Sequence, residues 1–107
     1  MTDWTNSPPD REQIDATRGP LLLEFGTPWC GHCRAAQHLI DAVIAERPEL
    51  VYLKVEDGPG RRLGRSFGVK LWPTLVFLRD GKELAREVRP RDVSLLRVAA
   101  SKVLSQT

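Results

Sequence analysis

The two cysteines of the chain, Cys30 and Cys33, lie at a junction between two predicted elements. Residues 21–25 before them form a short apolar run between turn residues, which is typical of a buried strand. Residues 30–47 carry apolar side chains at helical spacing, and Pro48 ends that pattern. A buried strand that leads directly into an amphipathic helix is typical of α/β folds, so this junction indicates that class.

The rest of the chain continues the alternation of strands and helices. The predicted strands cover residues 21–25, 51–55, 74–79 and 83–88, with a hairpin turn at Asp80-Gly81. The predicted helices run from an N-cap at Ser7 to Arg18, over residues 30–47 and 61–67, and from Pro90 onwards. We expect residues 1–7 to be a flexible arm. The order predicts one α/β domain over residues 1–107, in which a central mixed sheet of four to five strands is flanked by helices on both faces.

Length and composition indicate a single globular domain. The chain has 107 residues, of which 41% are hydrophobic, and its net charge is +2. That charge is too small to indicate nucleic-acid binding, and no apolar stretch is long enough to span a bilayer. The first six residues lack the basic-then-apolar layout of a secretory signal. We therefore expect a cytoplasmic protein that binds neither nucleic acid nor membrane, and we expect it to be a monomer.

The spacing of the cysteines favours redox chemistry. Two thiols three residues apart can close a small disulfide ring and reopen it, which transfers two electrons. Such a short loop restrains the unfolded chain little, so stabilisation is the weaker explanation. Two alternatives stay open: a metal or iron–sulfur site shared between chains, and an inert reduced pair. Within one chain only His32 and His38 could add imidazole ligands, and Arg34 stands where a covalent haem site needs a histidine.

The start of the predicted helix distinguishes the two thiols. Cys30 falls at the helix N-terminus, where unpaired N–H groups and the macrodipole favour a thiolate, so we expect it to be the attacking nucleophile. Cys33 lies one turn further in and is expected to be the more buried, resolving thiol. His32 can donate a hydrogen bond to the thiolate or carry partial positive charge beside it; the alternative is a solvated histidine. We expect His38 to be an exposed helix residue.

One acidic and one basic residue interrupt the predicted buried strands. Glu24 lies in the apolar run at residues 21–25, where desolvation should raise the pKa of a lone carboxyl group. Lys54 lies on the following strand and is a candidate partner charge. The alternative to a catalytic role is a structural ion pair between these two side chains.

Several short motifs follow one another in a fixed order. They are Glu24 in the strand before the cysteines, Trp29-Cys30-Gly31-His32-Cys33, Lys54 on the next strand, Trp72-Pro73-Thr74 and Arg79-Asp80-Gly81-Lys82. In this order they resemble the thioredoxin superfamily, and the resemblance covers nearly the whole chain. Residues 24–33 are locally most similar to the catalytic domains of protein disulfide isomerases.

The resemblance implies a thioredoxin fold and a thiol–disulfide oxidoreductase that needs no cofactor and no metal. Such a protein exchanges disulfides with protein substrates through a mixed disulfide on Cys30, and an unidentified reductant or reductase regenerates it. The resemblance also implies that Glu24 lies beneath Cys33 and moves its proton through water. The Gly31-His32 dipeptide shifts the expected reduction potential from about −270 mV, typical of thioredoxin, towards about −180 mV, typical of protein disulfide isomerase.

A substrate-binding surface is implied as well, formed by Trp29, Gly31, Trp72, Pro73 and Thr74. In the family the proline is cis, the backbone of the residue before it pairs with substrate, and the tryptophans would form an apolar rim around Cys30. From the residues alone, Pro73 could instead be a trans proline at the first position of a strand, and the tryptophans could be core residues. The alternative function is a non-catalytic protein-binding or chaperone module that uses the Trp29–Trp72 surface.

Two positions on this surface depart from the thioredoxin pattern. Leu71-Trp72 precedes Pro73, where thioredoxins usually carry glycine and a small aliphatic residue. Arg89 stands where thioredoxins use a glycine that lets partners approach closely. Both changes should make the docking surface bulkier, and Arg89 makes it more basic, which puts recognition by a standard thioredoxin reductase in question.

Overall fold

A five-stranded mixed sheet forms the centre of the fold in a computed structural model that describes residues 3–104. The strands are β1 (Trp4–Thr5), β2 (Pro20–Gly26), β3 (Val51–Glu56), β4 (Thr74–Arg79) and β5 (Lys82–Val88), in the spatial order β1-β3-β2-β4-β5. β3 pairs in parallel with β1 and β2, whereas β4 pairs antiparallel with β2 and β5. The helices are α1 (Arg11–Ala16), α2 (Gly31–Glu46), α3 (Arg62–Ser66) and α4 (Val93–Leu104). The predicted mixed sheet is confirmed.

Each face of the sheet has its own hydrophobic core. Successive strand residues point to opposite faces, so Leu22 and Leu23 of β2 enter different cores. The core that contains Leu22 includes side chains of α2 and α4, and the core that contains Leu23 includes side chains of α1 and α3. The prediction of helices on both faces is therefore confirmed.

The register of the parallel strands places the charged residues side by side. Glu24 of β2 pairs with Lys54 of β3, and Leu22 pairs with Tyr52 two positions earlier. Because side chains alternate between faces, Glu24, Lys54 and Tyr52 all lie on the face covered by α2. The chain leaves β2 at Gly26 and enters α2 a few residues later. This short connection brings the start of α2 close to the carboxyl end of the central strand.

The prediction of a flexible arm is wrong for Trp4 and Thr5, which form β1. Trp4 pairs with Lys54 and Thr5 with Val55, and the Lys54 ammonium lies 4.7 Å from the centre of the Trp4 ring. A strand of two residues has no alternating pattern that a sequence could reveal, so tertiary contacts alone mark it. The predictions for Met1 and Thr2 lie outside the described residues.

Two helices begin three residues later than predicted. α1 begins after Asp10 and not after Ser7, because Asp10 and Gln13 form a capping box in which each side chain accepts a hydrogen bond from the other's backbone N–H. α4 begins at Val93 and not at Pro90, and the carboxylate of Asp92 accepts a hydrogen bond from Ser94 N–H (2.9 Å). In both cases an aspartate, rather than the preceding serine or proline, marks the helix start.

Candidate active site

Both cysteines lie in the first turn of α2. Cys30 is the N-cap residue, with extended backbone angles (φ −78°, ψ 118°), and its Sγ accepts a hydrogen bond from the backbone N–H of Cys33 (3.1 Å). Both side chains are free thiols in this structure. The N–H group of a helix start thus points directly at the sulfur of Cys30, which is the arrangement that stabilises anions at such positions. The predicted helix start at Cys30 is confirmed.

Cys33 is the more buried of the two thiols, as expected. Its side chain is 2% exposed, whereas Cys30 is partly exposed. Burial, followed by the hydrogen bond with Cys30, raises the pKa of Cys33 to about 12, and the charge of Glu24 acts in the same direction. Cys33 therefore needs a base to remove its proton before it can act as a nucleophile.

Gly26, at the end of β2, provides the space in which Cys33 packs. A Cβ atom at Gly26 would overlap Cys33 Sγ and would lie 2.8 Å from the Cη2 atom of Trp4, which is far shorter than van der Waals contact. We expect Gly26→Ala to lower the free energy of unfolding by about 1–3 kcal/mol, since overpacking a filled site has this cost. Urea denaturation of the reduced protein measures the change.

Gly31 offers a matched control for that substitution. A Cβ atom at Gly31 meets nothing within 4 Å, and the residue lies in the first turn of α2. Gly31→Ala should leave stability unchanged or raise it by up to about 1 kcal/mol, because alanine restricts the unfolded chain more than glycine does. Equal effects of the two substitutions would contradict the packing role of Gly26.

Glu24 is fully buried on the face that α2 covers. Desolvation raises the pKa of its carboxyl group, as predicted, while a hydrogen bond from Tyr52 and the charge of Lys54 oppose the rise. The Tyr52 hydroxyl donates to Glu24 Oε1. Glu24 Oε2 is buried without a hydrogen-bond partner among residues 3–104. One carboxyl oxygen is therefore held, and the other is unpaired.

Lys54 does not contact Glu24 directly. Its ammonium group donates to Gln37 Oε1 (2.9 Å), and the amide nitrogen of Gln37 donates to the Tyr52 hydroxyl (3.1 Å) and to Asp41 Oδ1 (2.9 Å). The alternative of a structural ion pair between Glu24 and Lys54 is thus not realised as a contact within the described part of the chain. Sequence reasoning missed Tyr52 and Gln37; the available signal was the spacing of Tyr52, two residues before Lys54 on one strand.

The loop before β4 contains the predicted cis proline. The Trp72–Pro73 peptide bond is cis, and Pro73 is buried. Thr74 opens β4, and its hydroxyl donates to the carbonyl oxygen of Leu71 (2.6 Å). The indole N–H of Trp72 donates to Asp57 Oδ2 (2.9 Å), a partner that sequence reasoning did not single out. Trp72 is half-buried, so this hydrogen bond fixes the orientation of its ring.

Trp29 is exposed, in contrast to the alternative of core packing. With 69% of its surface accessible, it lies directly before Cys30 and has an aromatic face available to other molecules. Tryptophan is enriched at protein interfaces, so Trp29 beside the partly exposed Cys30 is a candidate contact for polypeptides. Gly31 is also exposed.

Arg89 has a backbone conformation that usually favours glycine. Its φ angle is 49°, in the left-handed region, in agreement with its place where the family carries glycine. Its backbone N–H donates to the carbonyl oxygen of Pro73 (3.0 Å), and its Nε donates to that of Trp72 (2.8 Å). The guanidinium group therefore covers the carbonyl group next to the cis proline.

Both histidines are exposed side chains of α2, as expected for His38. They line an open groove of about 310 Å³ together with Arg89 and Arg91. Within residues 3–104 no group of three or more histidine, cysteine, aspartate or glutamate side chains could hold a metal ion. None of the helices in that range is long and apolar enough to cross a membrane.

Comparisons with known proteins agree with this geometry. The thioredoxin family model matches residues 8–101. Thioredoxin from Chlamydia muridarum is 36% identical over 74 residues, which cover 69% of this chain and 72% of the relative. Protein disulfide-isomerase A2 from Homo sapiens is 44% identical over 78 residues, which cover 67% of this chain and 15% of that protein.

A solved structure covers almost the whole chain. Thioredoxin 2 from Pseudomonas aeruginosa PAO1, in its reduced form, superimposes with a TM-score of 0.88 at 56% identity, covering 99% of this chain and 98% of that one. The family match extends over most of the described residues and includes the strand, the cysteine motif and the cis-proline loop. The chain therefore belongs to the thioredoxin family and is a thiol–disulfide oxidoreductase that acts on protein disulfides.

Proposed function

We propose that Cys30 is the attacking thiolate and Cys33 the resolving thiol. Cys30 attacks one sulfur of a substrate disulfide, and the other substrate sulfur leaves as a thiolate. Cys33 then loses its proton and attacks Cys30 Sγ, which releases the second substrate thiolate and closes the Cys30–Cys33 disulfide. Two electrons pass from the dithiol to the substrate. The observation that carries this order is the asymmetry of the thiols, since Cys30 is partly exposed at a helix start and Cys33 is buried with a raised pKa.

Glu24 is the base that accepts the Cys33 proton in this proposal. Its raised pKa brings the carboxyl group closer to the range in which a proton can be taken up and returned near neutral pH. The charge of Glu24 disfavours the Cys33 thiolate, so the two groups are electrostatically coupled. A cavity of about 110 Å³ beside Cys33, lined also by Gln37 and Lys54, has room for water next to the thiol that loses the proton.

Substrate binding is assigned to the surface around Trp29, Gly31 and Trp72, next to Pro73 and Thr74, whose side chains are buried. The exposure of Trp29 supports this assignment, since its ring can pack against an extended polypeptide. Asp57 and Arg89 hold the loop of Trp72 in place through the hydrogen bonds described above. The same surface would serve the alternative function, a binding or chaperone module without catalysis.

The two functions differ in their dependence on the thiols. A Cys30→Ser/Cys33→Ser variant keeps the Trp29–Trp72 surface and removes the redox chemistry. If the protein acts by disulfide exchange, this variant should no longer catalyse the reduction of protein disulfides in an assay in which dithiothreitol is the reductant. If the protein acts by binding, the variant should suppress aggregation of an unfolded protein as well as the wild type does, and the wild type should show no turnover.

Cytoplasmic location and a monomeric state belong to the same proposal. The only cysteines of the chain form the redox pair, so no structural disulfide is present, as is typical of proteins in reducing compartments. One chain carries both thiols and the buried carboxyl group, so catalysis needs no second copy. A reductant or reductase, so far unidentified, would restore the dithiol after each turnover.

His32 is assigned the role of raising the reduction potential. It lies between the cysteines on the exposed side of α2, and a hydrogen bond or positive charge from its imidazole would stabilise the Cys30 thiolate and hence the reduced form. His32→Pro should lower the potential by tens of millivolts, on the order of 30 mV for each 1.4 kcal/mol of lost stabilisation. Equilibration with glutathione buffers measures the change.

His38 provides the matched control, because it is an exposed histidine on the same helix and lies outside the cysteine motif. His38→Ala should leave the potential unchanged. An unchanged potential in the His32→Pro variant would remove the tuning role of His32.

A further inference from the structure

Lys54 is linked to Glu24 by a series of hydrogen bonds through Gln37 and Tyr52. Each of these hydrogen bonds can be donated in only one direction. An ammonium group can only donate, so the oxygen of the Gln37 amide must face Lys54, and the two are 2.9 Å apart. The amide nitrogen of Gln37 then faces the Tyr52 hydroxyl (3.1 Å) and the carboxylate of Asp41 (2.9 Å). Both amide hydrogens of Gln37 therefore have acceptors. A flipped amide would place its nitrogen against the Lys54 ammonium group and its oxygen against the Asp41 carboxylate, which are repulsive contacts.

The direction continues through Tyr52. Because its oxygen accepts a hydrogen from Gln37, its own hydrogen is free to point to Glu24 Oε1, with which it is hydrogen-bonded. Tyr52 stays protonated at neutral pH, since burial and the nearby Glu24 charge both raise its pKa. The chain Lys54–Gln37–Tyr52–Glu24 thus delivers one hydrogen bond to one oxygen of the carboxyl group.

This asymmetry distinguishes the two oxygens of Glu24. Oε1 is occupied as an acceptor, whereas Oε2 is buried without a partner among residues 3–104. A carboxyl group in this state gains a proton most easily on Oε2, because a proton on Oε1 would weaken the hydrogen bond that Oε1 accepts from Tyr52. Among the groups of residues 3–104, Oε2 is therefore the carboxyl oxygen that remains available to a proton donor.

We propose that Tyr52, oriented by Gln37 and Lys54, is a positioning residue that holds Glu24 so that Oε2 receives the proton of Cys33 during resolution. This inference rests on the proposed role of Glu24 as the base. The proton leaves Cys33 Sγ and binds to Glu24 Oε2, and the resulting thiolate attacks Cys30 Sγ with release of the substrate thiolate. Neither Tyr52 nor Gln37 gains or loses a proton in this step.

The groups that face Glu24 come from two elements. α2 contributes Cys33 and Asp41, and β3 contributes Tyr52 and Lys54. From β4 the residue paired with Glu24 is the apolar Leu75. The hydrogen bond of Tyr52 and the charge of Lys54 lower the pKa of Glu24, and the charge of Asp41 raises it. Removing the Tyr52 hydroxyl should therefore raise the pKa of Glu24, and removing the Asp41 charge should lower it.

Tyr52→Phe removes the hydroxyl group and keeps the ring. Resolution requires Glu24 without its proton, so its rate falls at low pH; we call this fall the acid limb. In Tyr52→Phe we expect the acid limb to move to higher pH by about one unit, which slows resolution about tenfold at pH values below it. Stopped-flow measurement with dithiobis-nitrobenzoate separates the steps, since attack by Cys30 releases one coloured thiolate and resolution by Cys33 releases the second. The first phase should stay unchanged.

Asp41→Asn serves as the control of opposite sign. The asparagine oxygen can still accept from Gln37, while the negative charge is lost, so the acid limb should move to lower pH. A purely structural disturbance of the site would shift both variants in one direction. Gln37→Leu, which keeps the Tyr52 hydroxyl but removes its orientation, should shift the limb in the same direction as Tyr52→Phe.

Two further variants separate this inference from the proposal on which it rests. Glu24→Gln should abolish the acid limb, and Tyr52→Phe/Glu24→Gln should resolve no more slowly than Glu24→Gln alone. If Glu24→Gln retains the limb, the base is not Glu24 and the proposed role of Glu24 fails. If Glu24→Gln abolishes the limb but Tyr52→Phe leaves it in place, Glu24 is the base and the positioning role of Tyr52 is overturned.

Discussion

Replacing Cys33 by serine is expected to trap covalent complexes between Cys30 and substrate proteins. Cys30 can still attack a substrate disulfide, but no second thiol remains to release the product. Replacing Cys30 by serine should abolish these complexes and reduce disulfide exchange to the uncatalysed rate, because Cys33 is buried and burial raises the pKa of its thiol. Non-reducing electrophoresis and mass spectrometry detect the trapped species.

The control for this experiment is the Cys30→Ser/Cys33→Ser variant, which should form no mixed disulfide. The attached substrate should map to Cys30 in the Cys33→Ser variant, and reduction should release it. Trapping through Cys33 in a Cys30→Ser variant would reverse the assigned roles.

Replacing Glu24 by glutamine is expected to slow resolution by about 10²-fold while attack by Cys30 stays nearly normal. The substitution keeps the shape of the side chain and removes its proton chemistry, and general bases typically contribute at least this much. The two phases of the stopped-flow experiment give both rates in one measurement. If both rates stayed at wild-type values across about pH 6–9, the proton-transfer role would be wrong.

The same substitution should also change how stability depends on pH. Because the folded state raises the pKa of Glu24, the carboxyl group stabilises the fold below its unfolded pKa, and this contribution is lost as pH rises through the folded pKa. Above that pH the Glu24→Gln variant should be more stable than the wild type, by about 1.4 kcal/mol for each unit of difference between the two pKa values. Urea denaturation of the reduced proteins at acid and alkaline pH tests the sign, and a variant that is less stable at both would contradict it.

The central β-α-β unit was predictable from the sequence. α2 extends over 16 residues with a continuous apolar face, and a pattern of that length identifies a helix to within its caps. The cysteines mark its start because Cys30 follows the turn that ends β2. Glu24 stood out for a similar reason, since a single carboxyl group in an otherwise apolar strand has few explanations other than chemistry.

The partners of Glu24 could not be derived in the same way. The contact between Gln37 and Tyr52 depends on the rotation of α2 over the sheet, and neither residue interrupts a pattern. The contact between Asp57 and Trp72 joins two loops, whose paths no periodicity describes. Since these contacts depend on tertiary packing, only the structure identifies them.

The reduction potential of the Cys30–Cys33 pair is the sharpest test of whether this protein works by disulfide exchange. Buffers with different ratios of oxidised to reduced glutathione fix the reduction potential of the solution. Alkylation followed by mass spectrometry then gives the fraction of the protein that carries the disulfide. Disulfide exchange by this pair requires one reversible two-electron transition, expected between about −270 and −180 mV and lost in a variant that lacks either cysteine. Cysteines that form no intramolecular disulfide across the full range of glutathione ratios, or that oxidise independently of one another, would contradict it.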